Sequence, residues 1–174
     1  MAAKATPLVI LLIVLSSFII TGKTNSGYDK LRELELKALI DDKVGQEYIY
    51  DLTGIKDCNK TRIKYLGVVT TTKGKQYKIL TSFFVFSTSK DMCHGTSAIK
   101  IYDSINRFIG QYYVGMPEGL PDALKNNNLI YLDNSEECNL RNERSINFSE
   151  GLPKCFFIRC SKNGGDEYCF SNGH

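Results

Sequence analysis

The sequence predicts an α+β domain that is mainly β: an N-terminal amphipathic helix packed on a curved antiparallel β-meander, barrel-like or a sandwich, and stapled by disulfides. Three observations predict it. Apolar residues recur at helical spacing near the start of the chain, between Leu31 and Ile40. From Glu47 onward, short runs rich in β-branched and aromatic residues alternate with glycine and asparagine turn signals. Six cysteines follow a hydrophobic leader, an even number in a chain marked for an oxidising compartment.

The leader sets the compartment. Lys4 precedes "LVILLIVLSSFII", Leu8 to Ile20, and polar "TGKTNSG" follows. That run is about thirteen residues, within the range of a signal-peptide core and short of the roughly twenty needed to span hydrocarbon. We expect a signal peptide over residues 1–26, a single domain over 27–174, and a secreted or periplasmic location with no stable membrane span in the mature chain. A retained short anchor is the alternative. No A-x-A site is present, and Gly22, Thr24 and Ser26 supply the small residues for cleavage. The mature chain, about 148 residues, suffices for one domain with a sizeable core. Losing Lys4 and Lys23 takes the formal charge from +3 to about +1. The remaining cations are scattered among acids, so nucleic-acid binding loses its driving term.

Ser26 and Asp29 form an S-x-x-D capping signal, and Leu31, Leu34, Leu36, Ala38, Leu39 and Ile40 give a broad apolar face. The spacing predicts a helix over 28–44, stopped by Gly45, with a membrane-surface or partner-binding helix as the alternative role. Strands are predicted at 47–52, 62–71, 76–87, 97–102, 108–115, 129–132, 145–148, 155–160 and 167–170. "SFFVF", 82–86, is apolar on both faces and requires cover on both. "MPEGLPDALKNNN" interrupts the meander and reads as a short helix with Pro121 in its first turn and asparagines at its end. The tetrapeptide "EGLP" occurs at 118–121 and again at 150–153; the flanks differ, so shared turn chemistry explains it better than a repeat.

The cysteines are Cys58, Cys93, Cys138, Cys155, Cys160 and Cys169. "CFFIRCSKNGGDEYCF", 155–170, reads as a hairpin, and a turn centred between Gly164 and Gly165 sets Cys160 opposite Cys169 for a bridge. Cys58 with Cys93 and Cys138 with Cys155 follow by elimination. No C-x-x-C exists and the histidines are only His94 and His174, so neither a zinc site nor a thioredoxin-like redox role is assigned; no cofactor is expected.

Catalytic constellations are sparse. Cys93 beside His94 suggests thiolate and base, yet neighbours on an extended chain project to opposite faces. No nucleophile elbow, H-E-x-x-H, P-loop or dinucleotide fingerprint occurs. Asp41 with Asp42, Glu136 with Glu137 and Asp166 with Glu167 are adjacent acids in polar segments, where solvated turn acids are the common case. "DNSEE", 133–137, lacks the spacing and glycine of a calcium loop. Asn59 and Asn147 stand in N-x-[ST] sequons and are glycan acceptors if the source is eukaryotic. Ten tyrosines and no tryptophan, with "YIY" at 48–50 and "QYYVG" at 111–115, supply either a contact surface or ordinary sheet packing. The functional expectation is an exported, non-enzymatic binding or structural protein acting by surface recognition, as an inhibitor or an envelope or extracellular binding module. Its partner is expected to be an extracellular or periplasmic protein or glycan. The alternatives are a secreted hydrolase whose carboxylates converge only in the fold, or a carrier of a small apolar ligand.

Overall fold

Leu31, Leu34, Ala38 and Leu39 fall on one face of helix α1 (Gly27–Asp41), and all four are buried. The computed structural model describes residues 27–90, 92–132, 134–136, 138–143 and 145–173. The signal peptide expected over 1–26 lies outside them, as does His174. The helix ends earlier than Gly45 because Asp42 takes a left-handed conformation, φ 50°, which an aspartate side chain tolerates.

The meander follows as β1 (Glu47–Tyr50), β2 (Thr61–Thr70), β3 (Gln76–Ser89), β4 (Met92–Asp103) and β5 (Phe108–Gly115). Two further sets of strands complete the chain: β6 (Ala123–Lys125), β7 (Asn128–Ile130) and β8 (Ser145–Asn147), then the hairpin β9 (Cys155–Ser161) and β10 (Gly164–Asn172). The large sheet has seven strands in the order β1-β2-β3-β4-β5-β10-β9, and β6-β7-β8 form a second sheet of three. Every pairing is antiparallel.

The large sheet is open, with β1 and β9 at its edges, so the barrel-like closure expected from the meander does not form. Closure needs the two edges to pair; the outer side of β9 is instead met by the loop before β8, where Leu140 N–H donates to the Cys160 carbonyl at 2.9 Å. The short helix expected after Pro121 is also replaced. Residues 123–125 form β6, and Asn126 (φ 50°) and Asn127 (φ 61°) make the two-residue turn into β7 that a left-handed pair favours.

Period-two alternation sends the side chains of β3 to both faces, and both are covered. On one, Leu80, Phe84, Ile63, Tyr65 and Tyr102 pack with the leucines of α1. On the other, Tyr77, Ile79, Ile99, Ile101 and Tyr112 pack with Leu129, Tyr131 and Phe148 of the second-sheet region and with Phe156, Ile158 and Tyr168 of the last hairpin. The molecule is therefore three layers deep. One charged cluster sits inside it: Glu35 of α1 is 2% exposed, Lys100 Nζ lies 2.6 Å from its Oε1, and the Tyr102 hydroxyl donates to its Oε2 at 2.7 Å. Burial, then the Glu35 charge, pushes the Tyr102 phenol far above its ordinary value.

The disulfides join Cys58 to Cys93, Cys138 to Cys160 and Cys155 to Cys169. The expected Cys160–Cys169 and Cys138–Cys155 pairs are thus exchanged, and the reason is register. The turn is Lys162–Asn163, displaced toward the N-terminus from the two glycines, so Cys155 lies opposite Cys169 with Cα atoms 4.0 Å apart. A register shift falls at Cys160, between Ser161 opposite Gly164 and Arg159 opposite Gly165, and Cys160 turns to Cys138 across a Cα separation of 4.2 Å.

Trypsin cleaves after Arg141, Lys154, Arg159 and Lys162, which places Cys138, Cys155, Cys160 and Cys169 on separate peptides. Non-reducing mass spectrometry should find Cys155 linked to Cys169 and Cys138 to Cys160; a Cys160–Cys169 peptide contradicts the register. The Glu35→Ala variant leaves Lys100 and Tyr102 without their acceptor and should lose about 3 kcal/mol or more in urea unfolding. A loss below about 1 kcal/mol, the range of an exposed pair, contradicts the anchoring role of Glu35.

Candidate functional site

The chain leaving β5 makes a 3₁₀ turn at Pro117–Gly119, and this turn forms one wall of a cleft of about 580 Å³. The opposite wall is Ser135, Glu136 and Cys138 with Arg141 of a second 3₁₀ turn, Arg141–Glu143, and the β9–β10 hairpin closes one side. Each wall is held locally. A Cβ on Gly119 would stand 2.6 Å from Val114 Cγ1 and 2.9 Å from the Tyr168 hydroxyl, so only glycine lets the first turn sit against Tyr168. The Cys138–Cys160 disulfide fastens the second wall to β9. Asn134 and Asn142 lock together by two bonds, the Asn142 N–H donating to Asn134 Oδ1 at 3.0 Å and Asn134 Nδ2 to Asn142 Oδ1 at 2.9 Å.

A second hollow of about 290 Å³ adjoins the first and shares Glu118, Ser135 and Arg141 with it. Arg141, half-buried, is the common cation. Its Nη1 donates to the Glu118 carbonyl, and among the described residues no carboxylate lies within ion-pair distance of it. Tyr131 lines the smaller hollow, is 2% exposed, and its hydroxyl has no hydrogen-bond partner among the described residues. Ser135 Oγ accepts from the Cys138 N–H at 3.1 Å. The acids Glu118, Glu136 and Asp166 line the larger hollow. Asp122, in the smaller, already accepts from the Leu132 N–H at 2.8 Å.

Burial sets the phenols of this region. It raises Tyr131 above its ordinary value, with the Tyr168 charge adding and Arg141 opposing. Tyr168 is pushed up to about 12, by burial first and then by the negative charge of Asp166.

The residues singled out in the sequence are distributed otherwise. Cys93 is bonded to Cys58, and His94 is exposed with its ring 5.8 Å from that of Phe86, so the pair does not form a nucleophile and base. Asn59 and Asn147 are both exposed; the Asn147 side chain donates to Asn128 at 3.0 Å and accepts from the Ser149 N–H at 2.7 Å. Asp41 accepts from the Tyr48 hydroxyl at 2.9 Å. In "QYYVG", Tyr112 is buried with its hydroxyl donating to the Pro153 carbonyl at 2.7 Å, whereas Tyr113 is exposed. Among the described residues no group of three or more His, Cys, Asp or Glu side chains is placed to hold a metal ion; Asp133 and Glu137 of "DNSEE" lie outside them.

Two acids from different sequence pairs, Glu136 and Asp166, line one cleft. Arg141 and Tyr131 carried no functional signal in the sequence; Ser135 lies in "DNSEE", and the first "EGLP" holds Glu118 and Gly119 of the 3₁₀ turn. Comparison with protein-family models, with curated proteins and with solved structures finds no match.

The raised tyrosines make stability fall in alkali. Folding favours the neutral phenol, so the stabilisation is full below the ordinary value of 10.0 and is lost as pH rises through the folded value, about 12 for Tyr168. Tyrosinate absorbance should therefore rise together with loss of the near-ultraviolet circular dichroism signal. Complete ionisation of all ten tyrosines near pH 10 with the fold intact contradicts this burial.

Proposed function

We propose that the protein is an exported, disulfide-stapled recognition module that binds a small polar ligand, without turnover, in the cleft at Arg141. The observation that carries this is a cation and a buried hydroxyl, Arg141 and Tyr131, both lining a solvent-open hollow and both lacking a side-chain partner among the described residues. Leaving such groups unsatisfied is unfavourable, and a ligand that supplies acceptors recovers the difference. The cleft volume of about 580 Å³ is in the range of small-ligand pockets. Its walls are set by a disulfide and a glycine contact, so little ordering remains to be done on binding. Three disulfides suit an extracellular or periplasmic setting, and the leader supplies the route.

A second reading has its own observation. Glu118, Glu136 and Asp166 share the cleft, and paired carboxylates across a cleft are what hydrolysis of a glycoside requires. The apolar-carrier alternative has no such support, since an open sheet covered on both faces has no lumen.

Hydrogen-exchange mass spectrometry of the oxidised protein against a panel of saccharides and short peptides should show protection confined to 117–119, 134–142 and 166–168, with the panel recovered unchanged. Protection only elsewhere, or none with any member, overturns the proposal. Release of cleavage products that stops in the Glu136→Gln or Asp166→Asn variant replaces it with the hydrolase.

A further inference from the structure

We infer that the cleft reads the free C-terminal carboxylate of a short basic peptide, which rests on the cleft being the binding site proposed above. The two hollows differ in chemistry. The smaller sets donors beside the shared Glu118: the Arg141 guanidinium, Tyr131, and the hydroxyl proton of Ser135, whose oxygen is already taken as an acceptor by Cys138 N–H. A carboxylate has two oxygens, only accepts, and makes stronger bonds to a guanidinium than a neutral carbonyl does, so it satisfies a guanidinium and a phenol together.

The larger hollow is the more acidic of the two. Glu118, Glu136 and Asp166 line it, against the single cation Arg141. An anion alone is repelled there. A ligand that places a carboxylate at Arg141 and ammonium or guanidinium groups a few bonds away satisfies both hollows. At about 580 Å³ the larger hollow exceeds the needs of a single amino acid and suits two or three residues. Asp122 also faces the smaller hollow, but its Oδ2 accepts from the Leu132 backbone, which turns part of its charge away from a ligand. Tyr131 is the sharper marker. Tyr131 is 2% exposed and its hydroxyl has no partner among the described residues, which is unfavourable in the free protein and is relieved by a bound acceptor.

The test is isothermal titration with trilysine as the free acid and as the C-terminal amide. The amide should bind about tenfold or more weakly, the usual loss of a charge-assisted hydrogen bond. The Tyr131→Phe variant should weaken the free acid by about five- to tenfold, leave the amide unchanged, and raise the thermal midpoint of the free protein or leave it unaltered, because an unsatisfied hydroxyl has been removed. A merely structural hydroxyl would lower the midpoint and leave the difference between acid and amide intact. The Arg141→Gln variant should erase that difference. Equal affinity for acid and amide overturns the carboxylate assignment while the recognition cleft stands, and so does a cleft protected by a neutral saccharide with neither peptide bound. No ligand of any class at the cleft overturns both.

Discussion

A strand that is apolar on both faces has to be covered on both, and β3 imposes that condition on the rest of the molecule. Residues 79–85 of β3 are buried without interruption. One face is met by α1 and the other by the second sheet and the final hairpin, which gives three layers where a simple meander would give two. The helix is also oriented by charge. Glu35 sits at the interface, paired to Lys100 and Tyr102 on β4, and sliding the helix by one turn would leave a carboxylate buried without partners.

The cleft is a consequence of the second cover. The strands β6, β7 and β8 have three residues each, and the walls of the cleft come from the turns and connections around them. Those loops cannot be rigid through burial alone, since most of the described residues within 134–142 are exposed or half-buried. The Cys138–Cys160 bridge, the Asn134–Asn142 lock and the close contact at Gly119 supply the rigidity instead. Arg141, bound to the Glu118 carbonyl, and Tyr131, whose hydroxyl has no partner among the described residues, stand on this frame.

Local chemistry made much of the fold legible. The apolar spacing from Leu31 to Leu39, the alternation in β2 to β5 and the turn glycine Gly74 are short-range signals, and the large antiparallel sheet follows from them. The hairpin 155–172 was also visible, but its register was not. Asn163 and two glycines in succession offer several turn centres, and moving the turn to Lys162–Asn163 reassigns the partner of every residue in the hairpin, cysteines included. Likewise Pro121 fits a helix start as well as a strand approach, and the pairing of β6 with β7 decided for the strand.

The sequence by itself determined the β-rich class, the even set of cysteines and the need to cover β3 on both sides. These depend on residue type and on spacing within a few positions. Only the tertiary structure decided which cysteines meet, that the sheet stays open, and that Arg141, Tyr131, Glu136 and Asp166 line adjoining hollows. Those outcomes rest on contacts between distant segments. A one-residue change in register or the course of one loop alters them while leaving every local signal the same.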